Sequence, residues 1–291
     1  MPSVRRLVCL ANSWKMQERC IAGIDLATGQ WLRPVCDLYY PHDGRIPASV
    51  RQIQGQEPRL LDVLAIRLAD SGSDFGFEPE NRSVLTGAWR VEDRYHPWQV
   101  LPYCQSPPLL HNRRKYVMVS ELQAKPWAAR QTLQLVRASQ VQIQPRPDQE
   151  GPGRWRISFQ VEGEVWRDLK LTDADLMQRL EAGYSPGTEC VLTLSLSLPW
   201  SPPQWSEEPP CWKLVAGVVE LQARDLLYEQ TERELRRLGW SVAQGRCYLQ
   251  ACFGKRSRQH LTIAEFQALA TALQALTSGD DGQTLGNPNS G

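Results

Sequence analysis

The chain has 291 residues, 42% of them hydrophobic, and 33 Lys and Arg against 32 Asp and Glu. A net charge of +1 excludes a protein that coats nucleic acid through bulk charge, and the apolar content excludes wholesale disorder. No apolar run reaches the roughly 20 residues of a membrane span and no leader-like run opens the chain, so the expected location is cytoplasmic.

Residues 5–11 and 19–26 read as two strands, with a polar patch of Asn12, Ser13, Lys15 and Arg19 around their turn. Gly23 inside the second strand marks a bulge or a close backbone approach, and coiling of that kind suits a small barrel. Thr28 and Gly29 turn the chain into an extended stretch at 30–35, which Pro34 limits. Residues 60–69 are short and aliphatic, which favours a strand, and 70–83 read as a loop.

Further extended runs are expected at 116–119, 133–143, 155–161 and 165–169. Alternation places Trp155, Ile157, Phe159 and Val161 on one face. Thr172 begins a short helix with Asp173 and Asp175 in its first turn, and Gly183 ends it. Residues 190–198 alternate as a strand. A loop rich in Pro and Trp follows at 199–210 with Trp200 and Trp205, then a closing strand at 212–221.

Beyond this the period changes to that of helices. One is expected over 223–238, stopped by Gly239. Ser241 and Gln244 form a capping box for a second, which Gly254 ends. Thr262 and Glu265 open a third, with Leu261 and Phe266 as its staple. Phe266, Leu269, Ala270, Leu273 and Leu276 give it one apolar face. The tail at 278–291 is polar and reads as disordered. These changes divide the chain into 1–110, 111–222, 223–277 and 278–291.

Eight cysteines and four histidines show no CxxC pair and no metal-ligand spacing, so neither a metal nor a cofactor is expected. No P-loop, dinucleotide fingerprint, GxSxG elbow or HExxH motif occurs. No catalytic set is recognised, and the reading leans away from an enzyme.

The ordered pieces at 8–13, Lys15, 19–23 and 29–34, together with 194–198 ahead of 212–219, resemble the bacterial dual OB-containing domain family across 5–221. The resemblance implies a mainly β fold: two tandem OB-type small barrels, then a small all-helical module. Residues 238–276 resemble a C-terminal module of cyanobacterial proteins, some of them linked to Rad52-like strand-annealing proteins.

Four groups of candidate binding residues emerge, each with a plain structural alternative. Asn12, Ser13, Lys15 and Arg19 suit a phosphate or carboxylate, or else a polar turn. Trp31 and Arg33 share a face of an extended chain, as a stacking platform beside a phosphate contact or as packing. Arg113, Arg114 and Lys115 line a cleft between the β-blocks or form a solvated linker. Lys255, Arg256 and Arg258 fall where Arg233, Arg236, Arg237 and Arg246 also concentrate, against only Glu232 and Glu234 over 231–260. The alternative there is cations matched to helix dipoles.

The leading expectation is a non-catalytic binding protein that contacts single-stranded nucleic acid through its barrels and basic helices. A protein-interaction scaffold, with a protein partner and no nucleic acid, is the alternative. A third reading, a small-ligand-sensing or nucleotide-sensing barrel, needs a concave pocket bounded by Asn12, Lys15 and Arg19.

Overall fold

Alternating apolar residues build β1 (Ser3–Lys15), β2 (Glu18–Asp25) and β3 (Trp31–Val35), then a one-turn helix α1 (Ala48–Arg51). β4 (Asp62–Leu68), β5 (Asn81–Ser83) and β6 (Arg90–Arg94) follow. The second series is β7 (Tyr116–Met118), α2 (Val119–Gln123), β8 (Leu133–Pro145), β9 (Trp155–Val161), β10 (Glu164–Leu171), α3 (Ala174–Glu181), β11 (Cys190–Leu196) and β12 (Pro210–Glu220). Helices α4 (Ala223–Leu238), α5 (Val242–Phe253) and α6 (Ile263–Ala275) complete the order. The structure, a computed structural model, describes residues 3–147, 149 and 151–277. The tail expected to be disordered at 278–291 lies outside the described residues.

In the second series the strands close as β8-β9-β10-β12-β11, antiparallel except where β10 runs parallel to β12. Helix α3 connects β10 to β11, the third and fourth strands in chain order. This is a closed five-stranded barrel of the OB type. The first series repeats the same order, β1-β2-β3-β5-β4, again with β3 and β5 parallel. An antiparallel bridge between Leu68 and Val84 joins its last two strands. Backbone bonds from Ala69 to Ser83 and from Leu85 to Arg67 support that closure.

The expectation of a loop throughout 70–83 therefore needs correction at its end. β5 is only Asn81–Ser83, polar and without alternation, and only its pairing with β3 and the adjoining Leu68–Val84 bridge reveal it. α3 is capped by Asp173 rather than Thr172, because the Asp173 carboxylate accepts the Leu176 N–H. Gly23 behaves as expected. It lies opposite Cys9 where the β1 register shifts, and a Cβ there would sit 1.9 Å from the Val8 carbonyl oxygen.

Each barrel has its own core: Leu7, Ile21, Leu64 and Ile66 in the first, and Val136, Ile157, Phe159 and Leu192 in the second. Between them Ala11 and Ala22 pack on Leu133 and Ala216, with Trp31 alongside. Small residues let the backbones approach. Thr193 Oγ1 donates to the Leu10 carbonyl at 2.6 Å, and the Trp14 N–H donates to Thr172 O at 2.7 Å. A Cβ on Gly217 would meet the Leu10 oxygen at 2.1 Å. We expect Gly217→Ala to destabilise the protein by about 1–3 kcal/mol, read as a lower urea midpoint. The barrels belong to one compact unit, Met1–Glu220, and Leu221–Gly291 form another.

In the helical unit, both capping boxes form as expected at Ser241 with Gln244 and Thr262 with Glu265. Gly239 and Gly254 end their helices in the left-handed conformation. Phe266, Leu269, Ala270 and Leu273 are buried in its core, with Tyr228 edge-on to Phe266 at 4.8 Å. Among the described residues no helix is long and apolar enough to cross a membrane.

Candidate functional site

The polar residues of the opening segment mostly make contacts within the first barrel, and Ser13 alone among them bridges to the second. Asn12 is buried and donates Nδ2 to the Pro58 carbonyl at 2.7 Å. Ser13 forms a backbone bridge with Asp173. Lys15 donates Nζ to the Asp43 carbonyl at 2.7 Å, and the Arg19 guanidinium lies 4.7 Å from the centre of the Trp14 ring. Asn12 and Arg19 line one cleft, whereas Lys15 lines another with Ala11 and Ser13. Alternation along β1 explains the separation, since 11, 13 and 15 face opposite to 12.

Arg33 is not available to a ligand. It is 8% exposed and pairs with Glu78 and with Glu80, the latter at 2.8 Å. It also donates to Thr132 Oγ1 at 3.0 Å, and Thr132 in turn donates to Glu80. Burial opposes the charge on Arg33, but Glu78 and Glu80 more than compensate and hold its pKa above the usual value. Burial raises the Glu80 pKa against the pull of Arg33. Trp31 and Arg33 do share a face, but that face meets β8 and β12. In OB barrels the surface of the second and third strands, with the loops beside it, holds the ligand. In the first barrel the second one covers that surface.

The equivalent surface of the second barrel, β9 with β10, is open. Arg167 and Lys170 are exposed on it and Arg156 is partly exposed. Two residues singled out from the linker come to the same place. Arg113 pairs with Glu164 at 2.5 Å, and Lys115 lies 3.6 Å from Asp168. Arg114 instead pairs with Glu121 and lies over Tyr116. Arg156 is held by Gln149 at 2.8 Å and stands 3.8 Å from Asp168. Partial burial and the neighbouring Arg156 charge lower the Lys170 pKa.

The aromatic loop flanks this barrel between its fourth and fifth strands. Trp200 is 60% exposed at the start of the loop, where its N–H donates to the Pro210 carbonyl at 3.1 Å. Trp205, Trp212 and Tyr116 pack edge to face below it, with centroids 5.1 to 5.7 Å apart. Trp212 Nε1 donates to the Trp200 carbonyl at 2.8 Å and steadies the loop. Sequence reasoning missed Arg156, Arg167 and Lys170. The signal was present in the outward positions of the same alternation that revealed the core.

A buried lysine supports the linker behind this surface. Lys213 Nζ donates to the carbonyls of Leu109 and Asn112 and lies 4.8 Å from the centre of the Trp166 ring. Burial, with a smaller push from the Arg114 charge, lowers its pKa from 10.5 to about 7. As pH rises from about 7 towards 10.5 the folded chain releases this proton before the unfolded chain does. The contribution of Lys213 to stability therefore grows over that window and is lost as pH falls through 7. An NMR titration of the side-chain amine should place its midpoint near 7.

In the helical unit, Lys255 pairs with Glu265 at 2.5 Å. Hydrogen bonds from Lys255 and Thr262 bring the Glu265 pKa down to about 2. Arg258 donates to Thr231 and Glu232. Arg256 and Arg246 are exposed and form no ion pair among the described residues. With Arg236, Trp240 and Tyr248 they line a cavity of about 260 Å³.

A family model described as a dual OB-containing domain matches residues 5–218, and the match stops short of the helical unit. No curated protein matches the chain.

Proposed function

Because the chain belongs to the dual OB-containing domain family, a binding architecture, we propose that its second barrel holds single-stranded nucleic acid on β9 and β10. The observation that carries this reading is the contrast between the barrels. One ligand surface is covered, while the other is open and carries Arg113, Lys115, Arg156, Arg167 and Lys170 against Glu164 and Asp168. Phosphates would lie along these cations, and a base would stack on Trp200. Such stacking contributes ~1–3 kcal/mol per base. Arg246 and Arg256 of the helical unit supply a further set of cations, with Lys255 and Arg258 held in internal pairs.

The test is binding of single-stranded oligonucleotides followed by tryptophan fluorescence at two salt concentrations. Affinity should fall as salt rises, because phosphate contacts release counterions. Absence of binding, or an affinity indifferent to salt, would overturn the reading.

A further inference from the structure

The helical unit has a cavity of its own, about 260 Å³ in volume. An engineered cavity of ~150 Å³ takes up benzene, so this one has room for a single aliphatic or aromatic side chain. The buried part of its lining is apolar: Leu249, Leu269 and Leu273, with Tyr248 edge-on to the half-buried Trp240. Val242 adds an apolar rim that is 79% exposed.

The charged part of the lining is unbalanced. Arg236, Arg246, Arg256 and Arg258 share it with a single carboxylate, Glu232. Glu232 holds Arg258 at 2.7 Å and Arg236 at 3.6 Å. Arg246 and Arg256 are exposed and form no ion pair among the described residues. Other acidic groups of the unit are occupied elsewhere: Asp225 by the Gln222 N–H, Glu234 by Arg237 and Glu265 by Lys255. A surplus of three positive charges therefore borders an apolar pocket.

Together these features select one class of ligand. A fatty acid brings one carboxylate and leaves an arginine unmet. A nucleobase would lose water from its polar edge against leucines, and the two serine hydroxyls in the lining already accept the Gln244 and Gln259 N–H groups. A peptide with carboxylates spaced along it and one large apolar side chain satisfies both parts of the lining, since a guanidinium pairs with a carboxylate as a fork.

We infer that this cavity binds an acidic peptide of a partner protein, with carboxylates on Arg246 and Arg256 and an aliphatic or aromatic side chain against Leu249, Leu269 and Leu273. Peptide binding here is independent of strand binding on β9 and β10, although a strand that reached Arg246 and Arg256 would compete for them.

Fluorescence anisotropy of the full chain with labelled hexapeptides tests this. The main probe has four aspartates followed by leucine and phenylalanine. One control ends in two serines instead, and the other has serines in place of the aspartates. The main probe should bind at least tenfold more tightly than either control. Arg246→Glu with Arg256→Glu, both at exposed positions, should weaken it about tenfold or more at ~0.1 M salt. Gly245 also lines the cavity, and a Cβ there meets nothing nearer than Leu235 Cδ2 at 3.6 Å. Gly245→Met should fill the pocket and remove the advantage of leucine and phenylalanine while leaving every charge in place. Arg167→Glu with Lys170→Glu should leave peptide binding unchanged while weakening oligonucleotide binding, which separates failure of one reading from failure of the other. Peptide recognition is refuted if the main probe does not bind, if the control ending in serines binds equally well, or if the Arg246 and Arg256 variant binds as the parent does. A loss of oligonucleotide binding alone in that variant would refute it too and assign both arginines to the strand.

Discussion

Arg33→Met should destabilise the barrel unit by about 3–5 kcal/mol, the usual cost of removing one partner from a buried ion pair. The guanidinium stands between Glu78 and Glu80, all three nearly excluded from water, and reaches Thr132 ahead of the second barrel. Without it two carboxylates remain buried with no counter-charge. Urea unfolding at pH 7 should show a much lower midpoint. The loss should shrink on acidification, because the stranded carboxylates can then take up protons. A triple variant with Glu78→Gln and Glu80→Gln added should recover part of the stability. A loss below about 1 kcal/mol for Arg33→Met, the range of an exposed pair, would refute the assignment of Arg33 to the seam.

Reversing Lys115, Arg167 and Lys170 to Glu should weaken single-strand binding by about a hundredfold near 0.1 M salt. Three phosphate contacts at ~0.7 counterions each account for about two decades there, and their removal should flatten the salt slope by about 2. All three side chains are exposed on the barrel, so the fold should tolerate the change. Trp200→Ala should weaken binding by ~1–3 kcal/mol with the slope unchanged, because stacking releases no counterions. Fluorescence anisotropy across a salt series separates the two effects. If the triple variant bound as the parent does, strand binding would have to be sought on the helical unit, and Arg246→Glu with Arg256→Glu would be the next comparison.

Much of the architecture was legible locally. β9 was expected at 155–161 and is Trp155–Val161; the helix expected at 223–238 is Ala223–Leu238. In each case the periodicity or cap lies within a few neighbouring residues, and burial follows it. β5 escaped notice because a three-residue polar strand has no period to read, and the parallel pairing with β3 arises only once the barrel closes. The cations on β9 and β10 escaped for another reason. An outward arginine on one strand is ordinary surface until the topology identifies that strand pair as the ligand side of an OB barrel.

By itself the sequence determined a β-rich pair of blocks, a bulge or close backbone approach at Gly23, most of the helix caps and the shared face of Trp31 and Arg33. Those properties depend on backbone sterics and side-chain alternation over short spans. Only the tertiary structure decided what that face meets. Glu78 lies 45 residues beyond Arg33 and Thr132 lies 99 beyond it, and together they turn a candidate phosphate contact into a buried ion pair. An arginine has the same chemistry in both roles. Whether it is left to a ligand depends on which carboxylates the fold brings within reach and whether water remains beside it.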